Sequence, residues 1–217
     1  MSRALALLLT ALLVAGCQTA YYAAMEKVGF AKRDILASRV KSARDAQEDA
    51  KKEITSALDA FGKVVSYQGG ALEAQYKRLN GKLEDSEDAA KSVRKRITDV
   101  QEVGDALFRE WREELGKYSS ADLRRKSEAQ MSASRTRYDT LMATMKQAEG
   151  RLEPALRPLR DQVLFLKHNL NARALASLKG EVARVDGEVS QLVAELNRAI
   201  AEANRFIDEL EKATPPA

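Results

Sequence analysis

The sequence predicts an all-α protein, an elongated antiparallel bundle or coiled coil of four long helices. Three observations carry this. The composition is that of long helices: 31% of the 217 residues are charged, only 6% are aromatic and four are proline, with Ala, Leu, Glu, Lys and Arg dominating. Apolar residues recur at alternating spacings of four and three over four stretches, the period of a helix packed along a seam. Turn signals fall between the stretches, so successive helices are joined by short connections and must run antiparallel, as an up-down-up-down rod or as a three-helix rod whose fourth helix pairs elsewhere.

The first seam reads Leu36, Val40, Ala43, Gln47, Ala50, Ile54, Ala57, Phe61 and Val64, within a helix expected over 21–66. Gly69 and Gly70 follow and can end it, because glycine takes the left-handed conformation that helix ends use. The second seam, in a helix expected over 71–118, starts at Leu72, Tyr76, Leu79 and Leu83. It continues through Ser86, Ala90, Val93, Ile97, Val100, Gly104, Leu107, Trp111, Glu114 and Tyr118. Gly104 lies on this seam, where missing bulk permits close helix approach. Ser119 or Ser120 can cap the third helix, 121–168, with Asp122 well placed in its first turn.

That third seam runs from Met131 and Ser134 through Tyr138, Leu141, Met145, Ala148, Leu152, Ala155 and Leu159 to Gln162 and Leu166. Pro154 and Pro158 each remove a backbone donor and are expected to kink or break the helix. Between Leu166 and Leu175 the register shifts, flanked by Asn169 and Asn171. A turn is predicted there, with Asn171 capping a last helix over 172–212. Its seam is unbroken: Leu175, Leu178, Val182, Val185, Val189, Leu192, Leu196, Ala199, Ala203, Phe206 and Leu210. Residues 213–217 are expected to form a frayed tail. Helices of 40–48 residues would each span about 60–72 Å.

The start of the chain has a different character. Arg3 precedes an apolar run from Ala4 to Val14, interrupted only by Thr10 and followed by small residues. That is the pattern of a secretory signal, and the run is far shorter than the roughly 20 residues a spanning helix needs. Val14-Ala15-Gly16-Cys17 resembles the lipobox cleaved by the lipoprotein signal peptidase. Cys17 is the one cysteine of the chain, and it falls where that motif requires it. The expectation is a removable signal over 1–16, cleavage between Gly16 and Cys17, and acyl chains such as palmitate on Cys17, with 17–20 as a very short tether. Several acyl chains on one cysteine make a stable anchor. Gln18 stands where enterobacterial sorting rules place aspartate in proteins held at the inner membrane. The expected location is therefore the cell envelope, at the outer membrane facing the periplasm.

The 36 basic and 32 acidic residues interleave along the helices, the signature of solvated helix faces and not of a nucleic-acid partner. No cofactor, metal or catalytic residue is expected. A di-iron bundle needs two Glu-x-x-His pairs, and His168 is the one histidine. With Cys17 lipidated, His168 is also the one soft ligand left, too few for zinc. Trp111 and Tyr118 fall on the seam, so core packing is expected of them before ligand stacking.

The stretch Arg160–Ala174 is apolar beyond its seam positions and then rich in asparagine. A tightly packed helix corner is the plainer reading. A partner-binding tip is the sharper one, formed by Phe165, Lys167, His168, Asn169, Asn171 and Arg173 with Gly69 and Gly70 at the same end. The blocks Phe165–Ala174, Lys32–Leu36, Ala43–Gln47 and Leu123–Arg125 resemble a bacterial lipoprotein family whose shared region is designated a domain of unknown function, DUF2959. The resemblance covers nearly all of the chain after Cys17. It implies a helical, lipidated envelope protein and assigns no activity, ligand or site residue.

The expected function is non-enzymatic: a membrane-tethered helical rod, single-domain over 21–212, that serves as scaffold or interaction protein for another envelope protein. The alternative is a coiled-coil protein that lies on lipid and senses or shapes it, which would want one broad basic face.

Overall fold

The computed structural model describes residues 32–67, 69 and 72–212. It is all-helical among these residues, with five helices: α1 (Lys32–Val65), α2 (Leu72–Leu115), α3 (Ala121–His168), α4 (Ala172–Lys179) and α5 (Val182–Lys212). The expected signal, Gly16, Cys17, the tether, residues 21–31, Gly70 and the tail all lie outside the described residues. At 48 residues, α3 is the longest helix, about 72 Å from end to end.

The most extensive packing is between α1 and α2; α2 also packs on α3, α3 on α5 and α5 on α1, while the α1–α3 contact is slight. Polar pairs stitch the edges between these helices. Lys32 meets Glu110 at 2.7 Å and Lys82 meets Glu53 at 3.2 Å across α1 and α2. Arg160 meets Glu87 at 2.7 Å across α2 and α3, and Lys41 meets Glu211 at 2.7 Å across α1 and α5.

The core follows the seams closely. All nine expected positions of α1, Leu36 through Val64, are buried. In α3 every seam residue from Tyr138 to Leu159, and Leu166, is buried. In α2 the expected seam holds to Gly104 and then fails. Val103, Ala106, Phe108 and Leu115 go inside, Leu107 and Trp111 are half-buried, Glu114 is exposed and Tyr118 is 43% exposed. An α-helix drifts by about 20° per heptad against a 3.5-residue repeat, and 44 residues accumulate several such steps. The shift occurs beside Gly104, where the Tyr138 ring occupies the space a side chain would fill. Phe108 turns inward onto that ring, with centroids 5.4 Å apart.

Two further expectations are corrected, that of a break at the prolines and that of an undivided last helix. Helix α3 runs without interruption through Pro154 and Pro158. An interior proline costs about 3 kcal/mol, but Leu152, Ala155, Leu156 and Leu159 around the pair are almost fully buried, and that packing holds the segment on its neighbours. The last helix is divided: α4 ends at Lys179 and α5 begins at Val182. A tightened turn joins them, with the Glu181 N–H donating to the Leu178 carbonyl at 3.0 Å. Gly180 stays in the right-handed helical region, φ −69° and ψ −21°, so the seam passes across the break and buries both Leu178 and Val185. Glycine weakens a helix interior by about 1 kcal/mol against alanine, and the break falls where it stands.

The capping residues sit as expected. Ser120 accepts a hydrogen bond from the Leu123 N–H at 3.3 Å, with Asp122 in the first turn of α3. Asn171 accepts from the Ala174 N–H at 3.0 Å. Gly69 has a φ of +151°, which L-residues with side chains rarely adopt.

Candidate functional site

Among the described residues, two places combine exposed chemistry with a built surface. The first is the corner after α3. Leu164, Phe165 and Leu170 are 58%, 41% and 38% exposed, while Leu166 beside them is fully buried on the seam. Lys167, His168 and Arg173 are exposed around them. Asn169 donates from its side chain to the Phe165 carbonyl at 2.9 Å, and its N–H reaches the Leu166 carbonyl at 3.1 Å. Asn171 donates its N–H to the Asn169 carbonyl at 2.9 Å and caps α4 with its side chain.

The corner therefore divides by role. Asn169 and Asn171 shape the turn, and Leu164, Phe165, Lys167, His168, Leu170 and Arg173 face out from it. Leu164 and Leu170 were not singled out in the sequence, although adjacent apolar residues on both sides of a seam position signal that one must face solvent. Gly69 is exposed in the turn after α1. The end of α1 meets α4 and α5 across a shallow groove of about 500 Å³ lined by Val65, Tyr67, Leu175 and Val182, and Gly69 stands outside it.

The second place lies at the opposite end, where sequence reasoning anticipated only core. A cleft of about 530 Å³ opens between α2 and α3 beside the start of α1 and the last turns of α5. Leu107, Trp111, Phe206 and Leu210 supply apolar walls, and Ala129 and Ala133 of α3 leave room between them. The Trp111 indole N–H donates to Ser127 Oγ at 2.9 Å, which fixes the ring with its edge satisfied and its body on the cleft. Arg137 at the rim pairs with Glu209 at 3.3 Å. Arg33 also lines the cleft; it is half-buried and makes no hydrogen bond or ion pair among the described residues. The sequence signal was the loss of bulk along Ala129, Ala133 and Ser134 opposite Leu107 and Trp111.

On the same stretch of α3, Arg135 lies 5.2 Å from the Phe108 ring centroid and 5.4 Å from that of Tyr138, and bonds Asp139 at 2.9 Å. Burial raises the Tyr138 hydroxyl above the ordinary phenol range, and Asp105 adds to the effect. This phenol stays protonated and donates to the Gln101 carbonyl at 3.4 Å, a packing role. Between α2 and α3, Arg160 bridges Glu87 at 2.7 Å and Glu153 at 2.9 Å. Its hydrogen bond to Glu153 lowers that carboxyl below the usual range. Among the described residues, no group of three His, Cys, Asp or Glu side chains is placed to hold a metal ion. None of the described helices is long and apolar enough to cross a membrane.

The family described as protein of unknown function, DUF2959, matches residues 21–210, the span over which the sequence blocks resemble it. No curated protein and no solved structure is significantly similar to the chain.

Proposed function

Since the chain belongs to the DUF2959 family, we propose a function for it from its own residues: a non-enzymatic cell-envelope lipoprotein, held at the outer membrane by lipid on Cys17. In this reading its helices form a four-helix, up-down-up-down rod whose fourth member is α4 and α5 together. The order of the cross-helix pairs supports that topology, since partners on α2 fall in number as those on α1 rise, Glu110 with Lys32 and Lys82 with Glu53. The role is scaffolding: the rod carries the Leu164–Arg173 corner away from the anchor and presents it to another envelope protein.

The observation that carries the interaction reading is the exposure of Leu164, Phe165 and Leu170 together, ringed by Lys167, His168 and Arg173. Clustered apolar side chains within a polar rim mark protein-interaction surfaces. The charge balance argues against the lipid-surface alternative, because basic and acidic residues interleave on every long helix.

Metabolic labelling with palmitate tests the anchor. Wild-type protein should carry label and sediment with membranes, and Cys17→Ser should lose both. Retention of Cys17→Ser in the membrane pellet after a high-salt wash would refute lipid as the anchor. A photo-crosslinker at position 164 in intact cells tests the corner. A discrete protein adduct that disappears with Phe165→Asp is expected, whereas adducts to lipid alone would favour the membrane-lying alternative.

A further inference from the structure

The cleft at the Trp111 end has features that packing does not use. Its walls are aliphatic and aromatic, as in sites that enclose small apolar ligands, and its volume of about 530 Å³ lies in the usual range of roughly 300–1,000 Å³. Neutral polar side chains are scarce: Gln130 and Ser134 are the ones among the described lining residues, too few to read a sugar or a base. At the rim stand two guanidiniums and one carboxylate. Glu209 is engaged by Arg137 at 3.3 Å, which leaves the half-buried Arg33 without a counter-charge among the described residues. A partly desolvated arginine is costly unless an anion meets it, and its planar fork matches a carboxylate.

We propose that this cleft binds a single-chain amphiphilic anion, a long-chain fatty acid, with its carboxylate on Arg33 and its hydrocarbon along Leu107, Trp111 and Phe206. The size of the cleft suits one acyl chain and not the two of a bilayer phospholipid. The indole, held by Ser127, offers the chain a preformed wall, so little ordering is needed on binding. The proposal is independent of the lipid on Cys17 and of the corner at the far end.

Trp111 is the one tryptophan in the chain, so its emission reports on the cleft alone. Stearic acid bearing a nitroxide on its chain, titrated into purified detergent-free protein below the micellar concentration, should quench that emission saturably. Unlabelled palmitate should reverse the quenching. Arg33→Gln should weaken the acid about tenfold or more, the scale of a lost hydrogen bond to a charged group, and leave competition by hexadecanol unchanged. Ala133→Phe, which narrows the mouth from an exposed position, should abolish saturable quenching without changing helical circular dichroism. Quenching that rises linearly and equally in wild type and Ala133→Phe would overturn the proposal. So would equal loss of acid and alcohol in Arg33→Gln, or anionic lysophospholipid displacing the probe while palmitate does not.

Discussion

At the scale of single residues, two positions hold opposite kinds of tension. Gln47 is fully buried on the α1 seam, and neither its amide oxygen nor its nitrogen finds a partner among the described residues. A buried polar group without a hydrogen bond costs about 1–3 kcal/mol, so Gln47→Leu should raise the unfolding free energy by about 1–2 kcal/mol in urea denaturation. A lower midpoint would mean that the amide is satisfied in solution. Gly104 is the reverse case. An added Cβ would overlap ring atoms Cζ and Cε2 of Tyr138, whose side chain is buried and held against Phe108. Gly104→Ala should therefore cost about 1–3 kcal/mol, the usual range for overpacking. Combining it with Tyr138→Leu should cost less than the sum of the two single changes, and simple additivity would mean the two sites do not touch. Both residues were visible in the sequence as exceptions on apolar seams. The close approach at Gly104 was legible from its missing bulk, but that the Tyr138 ring fills the gap and that the Gln47 amide stays unpaired were not, because both depend on what the facing helix brings to the same level.

At the scale of elements, the glycines of two turns separate by backbone geometry. Gly180 is already in a helical conformation, and a Cβ there would meet the Ser177 carbonyl at an ordinary 3.7 Å. Gly180→Ala should fuse α4 to α5 and stabilise the protein by about 0.4–1 kcal/mol, through lower unfolded-state entropy. Gly69→Ala should destabilise it, since its φ of +151° suits few residues with side chains. Thermal melts of the two variants should move in opposite directions, and shifts of the same sign would count against the assigned turn conformations.

Helix existence, order and caps were legible because each rests on local chemistry: a repeating seam, Ser120, Asn171, a pair of glycines. The α2 register beyond Gly104, the continuity through Pro154 and Pro158 and the break at Gly180 were not. Those are settled by packing against other helices, which a seam cannot specify. The corner at Phe165 was legible for the same local reason. The cleft at Trp111 was not, because its walls come from four separate helices.

At the scale of the whole molecule, one core joins the described helices, from Leu36 to Val64 along α1 and from Val185 to Phe206 along α5. Leu192→Asp should unfold much of it, since an unpaired buried charge costs several kcal/mol. Gln191→Asp, one position away and exposed, should shift the melting temperature little. Equal losses would refute the register. Arg198 would be a poor control, because it pairs with the buried carboxylate of Glu195.

The placement of the helix ends also gives the proposed membrane-tethered rod an orientation to test. Lys32 at the start of α1 pairs with Glu110 near the end of α2, so the start of α1 lies at the same end as the turn holding Ser120, and the proposed anchor is expected to bring that end to the lipid. The 34 residues of α1 carry Ser66 about 50 Å from there. With lipidated protein in vesicles, a spin label at Ser120 should be strongly quenched by headgroup reagents and one at Ser66 weakly. Similar quenching at both would mean that the rod lies flat.

The Gly104 notch has a mechanical consequence. Helices joined by repeating seams can in principle slip past one another by a heptad, about 10 Å, and still place apolar residues opposite apolar residues. Tyr138 fits one gap on α2, and a heptad in either direction it meets Ile97 or Trp111 in place of glycine. The ring thus acts as a detent on a sliding joint. Tension applied between the two ends of the molecule would load this one contact in shear before the repeating seams could yield.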